Sequence, residues 1–344
     1  MVSDRPRLVK RRAAAWSATL ALTIGVAGCA APASSPSSSG EWELSGDYFT
    51  HDPALVAGPS HDGDDWFVYS TGDGQVADGN IQVRRSDDGV HWEYAGEVWQ
   101  EKPEWLTEAV PGVDNLWAPE LYEHNGTWYL YYSASTFGSN NSVIGLATNT
   151  TLDPEDPAYK WVDQGEVIAS AGKNFNAIDP GIAEDADGTP WMSFGSFWGG
   201  LQLVELEWPS GFLADPAVEP VTIADRGTPP NAIEAPYLIE RDGYYYLFVS
   251  KDFCCKGLES TYNMAVGRST EIKGPYVDRD GVSMLDDGGT PLLASDGPRV
   301  GPGGQSVSGD LLAFHYYDEA LDGAFRLGLV PLTWEDGWPT ARWE

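Results

Sequence analysis

Three carboxylates stand beside prolines in short apolar segments of this 344-residue chain: Asp52 in His51-Asp52-Pro53, Asp179 in Ile178-Asp179-Pro180 and Glu234 in Glu234-Ala235-Pro236. Two further segments, Trp117-Ala118-Pro119 and Val300-Gly301-Pro302, carry the proline without the acid. The five prolines fall 66, 61, 56 and 66 residues apart. If the repeats form a ring, acids in equivalent slots converge on one point. Carboxyl groups gathered in this way can cleave an acetal. One protonates the leaving oxygen, and a second, about 6.5–9.5 Å away in an inverting geometry, activates water. A third holds up the donor's pKa by like-charge repulsion and helps orient it. Asp-Pro is also a common turn dipeptide, so any one of these acids alone would say little.

The elements that would position them recur in step with the prolines. Each anchor opens a short strand: Pro53–Val56, Pro119–Tyr122, Pro180–Ala183, Pro236–Ile239 and the weaker Gln305–Val307. A turn follows, at Asp62-Gly63, Asn125-Gly126, Asp187-Gly188, Asp242-Gly243 and Ser308-Gly309, dipeptides that favour the positive φ of hairpins. An aromatic strand comes next: Trp66–Ser70, Trp128–Ser133, Trp191–Phe194, Tyr244–Ser250 and Leu311–Tyr317. A third strand is expected at Ile81–Arg85, Val143–Thr148, Leu201–Leu206, Asn263–Arg268 and Phe325–Val330, and a fourth around Val98, Val167, Val221 and Leu292. Four strands repeated at a period near 60 predict an all-β, five-bladed β-propeller. Its innermost strands would line a central channel, where a proline at the first strand position is tolerated. Asp52, Asp179 and Glu234, at the starts of blades one, three and four, should then face one cavity.

Composition narrows the partners. Acids number 52 against 20 lysines and arginines, for a net charge of −32. That field repels nucleic acid and anionic membranes and disfavours a polyanionic substrate, whereas a neutral polysaccharide meets no such barrier. The 15 tryptophans and 16 tyrosines supply surface for stacking on sugars. At the N-terminus, Lys10-Arg11-Arg12 precedes the apolar run 13–26, which is short for a bilayer span and shaped like a signal sequence. It ends in Val26-Ala27-Gly28-Cys29, similar to a bacterial lipobox, in which Cys29 would carry lipid. The expected organisation is a lipoprotein signal peptide over residues 1–29, a Ser/Pro-rich tether over 30–43 and the propeller over 44–344. The protein is expected to be exported and held at a bacterial cell surface by its lipid alone, or else secreted. Cys254 and Cys255 could form a vicinal disulfide or remain two thiols, and no cysteine spacing resembles a zinc site.

The motifs HDPALV, NLWAPEL, STFGSN, IGLATN, FNAIDPG, FGSFWGG, IEAPYL and YYYLFVSKDFCCKG together resemble the endo-arabinanase branch of the family 43 glycoside hydrolases, from about Gly46 to the C-terminus. The resemblance implies an inverting five-bladed propeller enzyme with Asp52 as general base, Glu234 as general acid and Asp179 tuning the donor's pKa. It also implies substrate contacts from Asp52, Trp117, Phe137, Gly138, Asn176, Ala177, Ile178, Asp179, Ser196, Phe197 and Trp198. One calcium ion is implied in the channel near His315, reached through water, with no organic cofactor. A lone strand histidine is otherwise a hydrogen-bonded core residue, and no compact acidic loop supplies calcium ligands. One departure stands out: Gly301-Pro302-Gly303-Gly304-Gln305-Ser306 replaces the GPGHNS of many relatives.

The expected function is endo-hydrolysis of α-1,5-linked L-arabinan, a neutral plant polysaccharide, to arabino-oligosaccharides by a monomer. An exo-acting α-L-arabinofuranosidase or β-xylosidase on the same scaffold is the alternative, decided by loops such as Glu101–Asn115 and Phe253–Tyr262. A non-catalytic surface glycan-binding lipoprotein would be expected to lack one of the three acids, and all are present.

Overall fold

A computed structural model describes residues 43–58, 65–74 and 76–343. The signal, the lipobox Cys29, most of the tether, His61 and the Asp62-Gly63 turn lie outside the described residues. The described chain forms five antiparallel blades in a ring, the expected five-bladed β-propeller. Blade one comprises Ala54–Val56, Trp66–Ser70, Gln82–Ser86 and His91–Glu97, with Ser45–Gly46 added in parallel at its outer edge. Blade two is Leu116–His124, Thr127–Ala134, Val143–Asn149 and Val162–Ala169. Blade three is Gly181–Glu184, Pro190–Phe194 and Leu201–Glu207, with Val221–Ala224 and Phe212–Leu213 paired outside. Blade four is Ile233–Arg241, Tyr244–Lys251, Asn263–Ser269 and Thr290–Leu293. Blade five holds Arg299–Ser308, Leu311–Asp318 and Ala324–Pro331. The last of these donates its Leu327 N–H to the Tyr48 carbonyl at 2.9 Å, so residues ahead of blade one close the ring.

The sequence pattern explains the packing. Second and third strands are apolar on both faces because each blade is sandwiched between two others; Trp66–Ser70 and Pro190–Phe194 are buried throughout. Five separate clusters of buried side chains fill the five interfaces, one between each pair of neighbouring blades. Asn125-Gly126 (φ 52° and 77°) and Asp242-Gly243 (φ 54° and 78°) make the hairpin turns their residue types favour. The long loop of 101–115 carries a single turn of helix, Trp105–Ala109. Among the described residues, no helix is long and apolar enough to cross a membrane.

Around the channel the five blades repeat one motif. In each, a residue with positive φ lies within the innermost strand or two residues ahead of it: Asp52 (51°), Ala118 (38°), Asp179 (58°), Ala235 (50°) and Gly304 (59°). Four are non-glycine, a backbone conformation that costs about 1–3 kcal/mol unless its surroundings enforce it. Enforcement comes from the preceding blade. The N–H of Ala118 donates to Thr71 Oγ1 (2.8 Å), that of Asp179 to Ser133 Oγ (3.1 Å), that of Gly304 to Ser250 Oγ (3.0 Å) and that of Asp52 to His315 Nδ1 (3.1 Å). At the remaining junction the corresponding residue is Gly195, which has no side chain, and the Ala235 N–H donates instead to Asp179 Oδ2 at 3.1 Å.

This ring corrects two expectations. Glu234 does not share the slot of Asp52 and Asp179: it lies one residue earlier, level with His51, Trp117 and Ile178. In blade five the slot belongs to Gly304-Gln305 rather than Gly301-Pro302, because register shifts between Val300 and Ser306 insert extra residues ahead of the channel. The proline spacing reveals the period, and these irregularities decide the register.

Candidate active site

The three acids meet at the channel. Asp52 and Asp179 line a hollow of about 30 Å3 with Pro53, Pro119, Pro180 and Pro236, room for water and little more. Glu234 stands beside Asp179, close enough for each to feel the other's charge. Ser196, from the segment after Pro190–Phe194, bridges to the Glu234 backbone and donates its hydroxyl to Glu234 Oε2 at 2.7 Å.

Their protons are held differently. Burial works to raise the Asp52 pKa, but the His51 and His315 imidazoles facing its carboxylate outweigh burial and hold it well below the usual range. Thr71 Oγ1 (2.6 Å) and His51 Nδ1 (2.7 Å) both meet its Oδ2. Burial raises Glu234, with the Asp52 charge adding to it, against hydrogen bonds from Ser196 and Tyr262. Burial followed by the charges of Glu234 and Asp52 raises Asp179 well above the carboxylate range. Asp52 is therefore held toward its ionised form, while burial pushes Asp179 and Glu234 toward their protonated forms. An ionised carboxylate and a protonated one on opposite sides of a channel form an acid–base pair.

Comparison with known proteins shows the family of the chain. The model of the glycosyl hydrolases family 43 matches residues 35–339. This chain belongs to that family. An extracellular endo-alpha-(1->5)-L-arabinanase of Bacillus subtilis is 39% identical over 321 residues, covering 91% of this chain and 94% of that protein. An extracellular exo-alpha-(1->5)-L-arabinofuranosidase of Cellvibrio japonicus is also 39% identical, over 84% of this chain and 85% of that protein. The solved structure of a family 43 endo-arabinanase from Bacillus licheniformis superposes with a TM-score of 0.80 at 40% identity, covering 87% of this chain and 99% of that one.

On this family 43 scaffold the expected sugar contacts separate into groups. Phe197 and Trp198, both at positive φ, wall a larger hollow of about 560 Å3 with Pro229, Pro230 and Asn231; the Asn231 amide donates to the Trp198 carbonyl at 2.9 Å. Phe253 packs 6.0 Å from Phe197, bringing the Phe253–Tyr262 loop to this edge. Phe137 is 84% exposed beside Gly138, and Trp117 is half-buried. Asn176 and Ala177 are buried: Asn176 Oδ1 accepts the Ser142 hydroxyl at 2.7 Å, and the Ala177 N–H donates to Ser170 Oγ at 2.9 Å. Ile178 is buried as well.

Several site residues escaped the sequence reading. Glu120, directly after the blade-two proline, is buried in the channel wall, and burial pushes its pKa up to about 8. Its place after an anchor proline was a visible signal. Thr71, Tyr262 and Tyr317 sit at strand ends with no motif to mark them. Gly304, in the segment that departs from GPGHNS, lies against the base, and a Cβ there would collide with Asp52 Oδ1 and the His315 ring. Cys254 and Cys255, left open from sequence, are disulfide-bonded, and the Cys255 N–H donates to Tyr317 Oη at 2.7 Å.

Proposed function

We propose that this chain hydrolyses α-1,5-linked L-arabinan in endo fashion with inversion at the anomeric carbon. The opposed directions in which their surroundings push Asp52 and Glu234 carry the reading. Asp52 takes a proton from a water as that water's oxygen bonds to the anomeric carbon. The bond from that carbon to the glycosidic oxygen breaks, and Glu234 delivers its proton to the departing oxygen. Each turnover returns both carboxyls by proton exchange with solvent. Asp179 keeps Glu234 protonated by its proximity and, through the Ala235 N–H, fixes the backbone beside the acid. Aromatic faces at Trp117, Phe137, Phe197 and Trp198 meet the C–H faces of furanose rings, and polar groups of the 176–179 run and Ser196 meet hydroxyls.

The substrate comes from the relatives' chemistry and from the −32 charge, which suits a neutral polymer. Because one relative is named as exo-acting, exo release of arabinose is the second reading. A product time course on debranched arabinan separates the two: mixed oligomers first support endo action, and arabinose alone overturns it. NMR of the first-formed reducing ends tests inversion, and retention of anomeric configuration would rule it out.

His315 Nε2 is buried with no hydrogen-bond partner, while its Nδ1 accepts the Asp52 N–H. Two imidazoles and one carboxylate are too few oxygens to cage calcium directly, but water can meet Nε2–H. A calcium ion whose hydration water contacts His315 fits, and when bound it would add positive charge near the carboxyls. We further infer export, lipid attachment at Cys29 and action as a monomer. A Cys29→Ser variant that stays with cells as firmly as wild type would overturn the anchor.

A further inference from the structure

Asp52 must offer one oxygen to water while the other stays still. Its Oδ2 accepts from Thr71 Oγ1 at 2.6 Å and lies 2.7 Å from His51 Nδ1. An ionised carboxylate has no proton to give, so Nδ1 carries the hydrogen of the His51 contact. On the far side of the ring, His51 Nε2 is 3.1 Å from Tyr317 Oη. That hydroxyl accepts the Cys255 N–H at 2.7 Å, leaving its own hydrogen to point at Nε2. The imidazole is clamped by stacking on His315 (centroids 3.6 Å apart, planes at 19°) and by the edge of Phe325 at 5.3 Å. The result is a directed series of donors: Cys255 N–H to Tyr317, Tyr317 O–H to His51, His51 Nδ1–H to Asp52. With Oδ2 doubly occupied, Oδ1 is the oxygen left for water. His315 Nδ1 lies 3.3 Å from Oδ1 but already accepts the Asp52 N–H.

We propose that His51 is a positioning residue for the base. Held by Tyr317 and the Cys254–Cys255 turn, it fixes the Asp52 carboxylate in one rotamer, so that Oδ1 faces the attacking water. The inference rests on Asp52 acting as general base. It assigns a role to the histidine of HDP and to the FCC loop that neither the acids nor the sugar contacts require. Misplacing a reacting oxygen by about 1 Å costs about 10²-fold in rate. Substrate binding, made elsewhere along the groove, should barely change.

The test measures kcat and KM on linear arabinan for wild type, His51→Ala, His51→Asn, Tyr317→Phe and Asp52→Ala, with a melting curve for each. The asparagine amide can donate from near the Nδ1 position without providing the rest of the ring. His51→Ala should lose about 10²-fold in kcat with KM little altered, His51→Asn should recover at least tenfold of that loss, and Tyr317→Phe should fall between wild type and His51→Ala. Wild-type kcat in His51→Ala overturns the proposal. So does equal impairment of the Ala and Asn variants, which would make the role one of shape rather than donation. If His51→Ala does not fold, Tyr317→Phe decides: wild-type kcat there also overturns it. An active Asp52→Ala would instead refute the base assignment beneath the inference.

Discussion

On the blade-one side of the channel the carboxylate receives hydrogen bonds from the His51 imidazole and the Thr71 hydroxyl, His315 accepts the acid's own N–H, and a bulge-placed glycine leaves room for Oδ1. On the blade-three and blade-four side, two carboxyls are buried together with only hydroxyls and one backbone N–H between them. Burial is the first influence on all three acids, and it raises each. What separates base from acid is what faces each carboxyl: His51, next to Asp52 in the chain, and His315 from blade five draw Asp52 down against burial, whereas Glu234 has hydrogen bonds from the Ser196 and Tyr262 hydroxyls that do not overcome burial. One ring of backbone contacts thus holds two opposite proton affinities within a single channel.

The strongest way to break this contrast is to remove either end of it. Asp52→Ala and Glu234→Ala should each lower kcat on linear arabinan by about 10³-fold or more with the fold intact by circular dichroism; near-wild-type turnover in either would end the assignment. Asp179→Asn should cost about 10²-fold. By removing a like charge it should also let Glu234 lose its proton more easily, moving the alkaline limb of the kcat/KM profile to lower pH. An unmoved limb would make Asp179 structural only. Thr71→Val strips a donor from Asp52 Oδ2 and leaves the Ala118 N–H without its acceptor, so denaturant unfolding should show a loss of about 1–3 kcal/mol. The smallest expected effect is the mirror image of Asp179→Asn. Ser196 stabilises the ionised form of Glu234, so Ser196→Ala should raise its pKa further and move the alkaline limb to higher pH with only a few-fold change in turnover. Limbs shifting the same way in Asp179→Asn and Ser196→Ala would refute this account of the acid side.

Much of the fold was legible because strand periodicity, aromatic content and Asn-Gly or Asp-Gly turns are local signals. The predicted second strands at Tyr244–Ser250 and Leu311–Tyr317 differ from the observed Tyr244–Lys251 and Leu311–Asp318 by one residue at one end. Register around the channel was less legible. The bulges between Val300 and Ser306 shift blade five so that Gln305, not Pro302, occupies the anchor slot, and no local residue type announces that shift. The acids were found because proline marks strand starts. Thr71 reaches Asp52 within blade one, but His51 and Tyr317, 266 residues apart, come together only through ring closure. Glu120 follows an anchor proline, a readable signal, in a segment whose Trp117 is expected at the substrate. Asn176 and Ala177, expected at the substrate, are buried and hydrogen-bonded to Ser142 and Ser170, partners that no local residue pattern announces.

The division of labour between Asp52 and Glu234 is tested most directly with an aryl arabinotrioside whose leaving group departs without protonation. Glu234→Gln should then keep substantial turnover and lose the alkaline limb, because no acid is needed, while Asp52→Asn should remain inactive because no group activates water. Rescue of Asp52→Asn rather than Glu234→Gln would contradict the account.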